Sequence, residues 1–169
     1  MATNLTTNLT LRLLTVFEDD LDLSDPKDTL NIDWKDSLAN GTGTDQADVI
    51  WHDQRTVTGA SEDIDLAGNV LFKDAFGNTI TFVKVKAVFI HNTSTTATET
   101  LSVGGAAGTQ FSNWVGAVND EVNVGPDGLF MLWSPTDGYA VGAGATDLLK
   151  IDPGADTIIY DIVIIGTSA

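Results

Sequence analysis

Thr79-Ile-Thr-Phe-Val-Lys-Val-Lys-Ala-Val-Phe-Ile90 is the stretch on which the fold turns. Val83, Val85, Ala87 and Phe89 share one parity, and Lys84 and Lys86 hold the other, the two-residue period of a strand with one covered face. At about 3.3 Å per residue it would span about 40 Å, the full height of a sandwich. Ile80 and Phe82 fall on the lysine side, which predicts a bulge or a second covered patch.

Working outward, Glu62-Asp-Ile-Asp-Leu66 alternates with Ile64 and Leu66 on one face, and Ala67-Gly68-Asn69 and Phe76-Gly77-Asn78 are turn signals. Further strands are expected at Leu30–Trp34, Val49–Val57, Leu101–Val103, Leu129–Trp133, Tyr139–Val141, Leu148–Ile151 and Thr157–Ile165. Residues 109–127, with Trp114, read as an irregular connection. No amphipathic helix longer than about two turns can be written, and about eight to ten strands with turns every 8–12 residues or so signal a sandwich. The expected fold is all-β, a two-sheet antiparallel sandwich, with jelly-roll order the most economical topology. Leu9, Leu11 and Leu13 alternate with polar residues ahead of the acidic run Glu18 to Asp28 and Pro26. Residues 1–25 are therefore read as an extended N-terminal arm or an edge strand, and residues 26–169 as the sandwich domain.

Composition narrows the function classes. The 169 residues carry 24 acidic and 8 basic side chains, a formal charge of −16. Such a field repels phosphate backbones and anionic membrane surfaces, and the scattered basic residues form no nucleic-acid patch, so neither partner is expected. No apolar run approaches the roughly 20 residues of a membrane-spanning helix. The N-terminus lacks the basic start and apolar centre of a signal peptide. Cysteine is absent, which removes disulfides, thiolate metal sites and a cysteine nucleophile together.

Catalytic patterns are thin. Only His52 and His91 could serve a serine nucleophile as base, no G-x-S-x-G elbow occurs, and in Trp51-His52-Asp53 adjacent strand residues point to opposite faces. Aspartates are abundant, yet no pair stands out as a glycosidase dyad, because Asp in turns caps backbone amides without catalysis. Glu18 to Asp28, and Asn119-Asp120-Glu121 before Gly125-Pro126-Asp127-Gly128, offer carboxylates to a structural calcium, but neither has EF-hand spacing. Solvated acidic loops are the default, and no cofactor is expected. Gly142-Ala-Gly144-Ala-Thr146 lacks the lysine of a phosphate loop. Four tryptophans could form a sugar platform, though Trp34, Trp51 and Trp133 lie in apolar strand patterns that suit a core.

Association is the stronger expectation. Leu9, Leu11 and Leu13 form an apolar edge. Phe130 and Leu132 oppose Leu129, Met131 and Trp133, and Ile158–Ile165 is apolar on both faces, more than one sandwich interior consumes. The last two features predict self-association as a homotrimer, with Phe130 and Leu132 as contact residues, and Leu9, Leu11 and Leu13 predict that the arm adds as a strand to a partner protein or a sister subunit.

Leu30-Asn-Ile-Asp-Trp-Lys-Asp-Ser-Leu-Ala-Asn-Gly41, Asp48-Val-Ile-Trp-His-Asp-Gln-Arg-Thr-Val57, Asp65-Leu-Ala-Gly68 and Asp74-Ala-Phe-Gly-Asn-Thr-Ile-Thr-Phe82 resemble a family of small tailed-bacteriophage structural proteins. Gly128-Leu-Phe130, Ala145-Thr-Asp-Leu-Leu-Lys150 and Tyr160-Asp-Ile-Val-Ile-Ile-Gly-Thr167 continue the likeness, which covers roughly residues 29–169. The resemblance implies a non-enzymatic virion component, a jelly-roll decoration or cement protein on the capsid surface with the major capsid protein as partner, assembled in the host bacterial cytoplasm. It carries over no catalytic residues. A tail or baseplate component is the alternative within the virion, and a carbohydrate-binding sandwich module the alternative of another class.

Overall fold

The computed structural model describes residues 4–68 and 72–169, so Asn69 of the expected turn lies outside the described residues. The elements are strands: β1 (Thr7–Glu18), β2 (Lys27–Asn40), β3 (Gln46–Ala47), β4 (Val49–Thr58), β5 (Glu62–Asp65), β6 (Lys84–Asn92), β7 (Leu101–Gly104), β8 (Glu121–Val124), β9 (Leu129–Trp133), β10 (Tyr139–Ala140), β11 (Leu148–Asp152) and β12 (Thr157–Thr167). The fold is all-β, with antiparallel sheets packed together. The larger sheet runs β4-β12-β6, with β9 and β10 following one another along the far edge of β6; the smaller runs β5-β11-β7-β8. A third sheet, β1-β2-β3, shares no strand pairing with either.

Sheet packing follows from alternation along the strands. On the central β12, Ile158, Tyr160, Ile162 and Ile164 are buried within the main core. They meet Ile64, Leu101, Val103, Leu149 and Ile151 of the smaller sheet. Removing each such side chain from water stabilises the fold by about 1.5–3 kcal/mol. Trp51, Phe72 and Phe82 close one end, with ring centroids 4.5 and 5.7 Å apart in succession.

The inner face of β12 is covered along its length, and the outer face toward its C-terminal end, whereas Ile159 on the outer side is 45% exposed. On the outer side, Ile165 and Ala87 pack with Leu38 of β2 and Ala47 of β3, flanked by half-buried Leu5, Ile50, Phe89, Trp133 and Val163. The root of the third sheet thus lies on the back of the larger one.

The strand expected from Thr79 begins only at Lys84. Ile80 N donates to Phe72 O and Phe82 N to Leu66 O, so this segment closes the sandwich end and sends both side chains into the main core. A bulge then divides the expected face: Ile165 faces Ala87 and Gly166 faces Val85, which leaves Lys86 without a partner, so Val85 enters the main core while Ala87 and Phe89 turn to the outer side. Gly166 admits the detour, since a Cβ there would lie 2.1 Å from Lys84 O. Lys86, 1% exposed, extends its ammonium to donate to Pro135 O at 2.8 Å and Thr136 O at 2.7 Å. The 109–127 connection is not wholly irregular, because β8 lies within it and pairs with β7.

Candidate interaction surface

β1 and β2 are the two limbs of one long hairpin, paired without interruption from Thr7↔Leu38 to Glu18↔Lys27. The sequence reading separated residues 1–25 from Leu30–Trp34; the hairpin runs across that division. With about 3.3 Å per residue, its 12 cross-strand pairs extend about 40 Å. Register sorts the side chains cleanly. One face carries Leu9, Leu11, Leu13, Thr15 and Phe17 opposite Asp36, Trp34, Ile32, Leu30 and Asp28. The other carries Asn8, Thr10, Arg12, Leu14, Val16 and Glu18 opposite Ser37, Lys35, Asp33, Asn31, Thr29 and Lys27.

The first face is apolar and has no cover beyond its root. Leu11, Leu13, Leu30, Ile32 and Trp34 are 43–52% exposed, and Phe17 is 75% exposed. Trp34 was expected in the core. It is instead at the surface, because an alternating strand in a free ribbon reads like one in a sandwich. Among the four tryptophans, Trp51 is buried and Trp114 and Trp133 are half-buried, so a shared sugar platform does not form.

The root is where ribbon meets body. Leu38 packs in the outer cluster, and Trp133 Nε1 donates to Asp36 Oδ2 at 2.8 Å. At the end of β2, Ala39 N donates to Asp45 O, and in the loop beyond it Asp45 N donates to Pro135 O and Thr136 Oγ1 to Asp45 Oδ1. Lys86 holds the same two residues, Pro135 and Thr136, from beneath. The hairpin's exit is therefore tied to the body through a buried ammonium. Burial also holds the Lys86 pKa below the ordinary lysine range, with Lys84 adding to the effect.

The tip is acidic. Glu18, Asp19, Asp20, Asp22, Asp25 and Asp28 face only Lys27 among cations in this stretch, and the Lys27–Glu18 pair is exposed at 3.1 Å. Asp19 N donates to Pro26 O, while Leu21 and Ser24 exchange backbone hydrogen bonds. Leu23 is 99% exposed at the turn.

Of the remaining expected contact residues, Leu9 sits half-buried near the root, on the apolar ribbon face. Phe130 and Leu132 are half-buried and pack against the main core, Phe130 with its ring 5.2 Å from that of Trp114. The other parity of β9 is the outer one: Leu129 is exposed, and Trp133 joins the outer cluster.

The candidate chemistry is dispersed. His52 lies exposed on β4, beside a cleft of about 390 Å³ that Asp48 and Ser168 also line. Ser168 Oγ donates to Asp48 Oδ2 at 2.5 Å and Ser168 N to Oδ1 at 2.8 Å, which commits the hydroxyl to a carboxylate. His91 approaches Asp127 at 3.3 Å and Asp161 at 3.9 Å. Asp120 accepts from Ala117 N, and Asp127 takes a positive φ in its turn. Among the described residues, no three His, Cys, Asp or Glu side chains converge so as to hold a metal ion.

The most connected polar group spans the two sheets. Tyr160 OH donates to Glu62 Oε1 at 2.6 Å, Arg55 donates Nε and Nη2 to Glu62 Oε2, and its Nη1 reaches Asp53 at 3.0 Å. The Glu62 carboxylate pushes the Arg55 pKa up, and burial with the same carboxylate pushes the Tyr160 hydroxyl up. Arg55 is held cationic and Tyr160 neutral, and the group forms a structural clamp between β4, β5 and β12. Comparison with family models, with curated proteins and with solved structures returns no match to this chain.

Proposed function

We propose that this chain is a non-enzymatic virion structural protein of a tailed bacteriophage, a decoration protein that sits across contacts between major capsid subunits. The observation that carries an assembly role is the hairpin, whose apolar face lies open along its length beyond the root. A two-stranded ribbon is marginal in water by itself, and an open face this long is a surface for another molecule. The strand order supports the jelly-roll reading of the body. β4-β12-β6-β9 faces β5-β11-β7-β8, and the chain alternates between the sheets in the way two Greek keys require. The sequence resemblance supplies the virion context.

The test removes the hairpin as a unit. Asn8 and Ser37 are cross-strand partners, so residues 9–36 can be replaced by a two-residue turn without stretching the root. The expected result is a soluble all-β body that no longer occupies purified particles, which the intact chain occupies at hundreds of copies. Full occupancy by the shortened chain would overturn the reading. A copy number of three to a few dozen would move the protein to the tail or baseplate.

A further inference from the structure

We infer that the open face of the hairpin stem is covered by the same face of a second copy of this chain. This names the partner of the surface just described and rests on the assembly reading of the hairpin, not on the virion assignment.

Three observations favour a sister copy. The first is area. Five large apolar side chains, Leu11, Leu13, Leu30, Ile32 and Trp34, are between 43% and 52% exposed on one face, clear of the carboxylates at its ends. With residue surfaces of order 200 Å², that is about 500 Å² per copy, more than half of the roughly 800 Å² each partner gives to a standard interface. Face-to-face pairing covers the same surface on both molecules and leaves none over, as a closed symmetric contact requires.

The second is charge. A chain of formal charge −16 repels its own copy across most of its surface. The stem face is the exception: its ionised groups, Asp28 and Asp36, stand at its two ends, and Asp36 is already held by Trp133. Between them Leu11–Trp34, Leu13–Ile32 and Thr15–Leu30 form an uncharged block. Two stems can meet there without desolvating a carboxylate, whereas the six-carboxylate tip cannot bury itself on a sister.

The third is continuity. The same parity of the hairpin, through Leu5 and Leu38, already packs on the back of the larger sheet. The stem continues that covered surface outward with the same residue types, so it has the composition of an interior lacking its second layer.

The test uses full-length protein in solution. Sedimentation velocity at micromolar concentration should give a dimer that tightens as salt screens the −16 field. Leu13→Lys with Ile32→Lys should weaken association on the order of 100-fold or more, while Thr10→Lys on the opposite face leaves it intact. The chain has no cysteine, so single cysteines are clean reporters. Oxidation should join Ile32→Cys copies across the interface and leave Asn31→Cys copies unjoined. The cysteine variants keep the test alive should the double lysine variant fail to fold. A monomeric wild type, association that survives Leu13→Lys/Ile32→Lys, or cross-linking at Asn31→Cys instead of Ile32→Cys would overturn the inference. Loss of particle binding with the stem contact intact would sink the virion assignment alone.

Discussion

Replacing Lys86 by methionine tests how the hairpin is held to the body. The side chain is 1% exposed and occupies the unpaired position of the β6 bulge. Methionine keeps its length and apolar stem but loses the two hydrogen bonds to Pro135 O and Thr136 O. Hydrogen bonds from a charged donor contribute about 1.5–3 kcal/mol each, so the gross loss is about 3–6 kcal/mol. Two effects offset it. The desolvated ammonium is removed, and the loop that carries the acceptors, with Pro135 half-buried and Thr136 exposed, can relax toward water. A net cost of about 2–3 kcal/mol is expected. At about 2.1 cal/mol/K per residue of unfolding entropy, this lowers the melting temperature by about 6–9 °C.

Location discriminates further. Amide exchange should quicken at Ala39, Gly41 and Asp45, which depend on the pinned loop, and change little in β12. The pH dependence has a definite sign. The folded-state Lys86 pKa lies below its unfolded value, so the unfolded chain binds the proton more tightly and wild-type stability rises with pH up to the ordinary lysine range. The methionine variant should lack that rise. A variant as stable as wild type, or one whose exchange quickens uniformly, would refute the idea that this ammonium anchors the root.

Three other outcomes are expected. Gly166→Ala places a Cβ against Lys84 O and Phe82, so the bulge must shift at a cost of about 1–3 kcal/mol, measured by chemical denaturation. Tyr160→Phe removes the donor to Glu62 and should cost about 1.5–3 kcal/mol, with Glu62→Ala in the phenylalanine background adding less than it does alone. The Asp152 carboxyl is held below the usual carboxylate range by its hydrogen bond to Lys150 and by Gly154 N. Its folded pKa is depressed, so its stabilisation is present above the ordinary carboxylate range and fades as pH falls through it. Urea titrations at pH 7 and about pH 3 should show a smaller difference for Asp152→Asn.

The period of two was legible throughout, and with it the class of fold. What alternation alone does not encode is which sheet a strand joins. Leu30, Ile32 and Trp34 alternate like Ile64 and Leu66, yet the first set lies on a free ribbon and the second in the core. The difference lies in partners distant in sequence: β12 needs β4 and β6 on either side, while β1 already satisfies one edge of β2. Two apolar alternations flanking a short Asp-rich turn carried the hairpin signal at Leu9–Phe17 and Leu30–Trp34. The position of the bulge was not legible: it falls at Lys86 and separates Val85 from Ala87 and Phe89, which share one parity in the sequence. Nor was the Lys86 anchor, since its acceptors are backbone carbonyls some 49 and 50 residues away. The two apolar faces of Ile158–Ile165 signalled a cover on the outer side of β12 without naming what supplies it. Its own hairpin root supplies part of it, through Leu38 and Ala47.

The adjacency of Asn8 and Ser37 makes the ribbon a ruler. Inserting two residues into each limb would carry the acidic turn about 6.6 Å farther from the body and return every side chain to its original face. Inserting one per limb would exchange the oily side for the wet one beyond the insertion. Reach can therefore change only in even steps, each leaving the sandwich untouched. A chain built this way can be matched to gaps of different depth by trimming or lengthening one appendage, with its core sequence held constant.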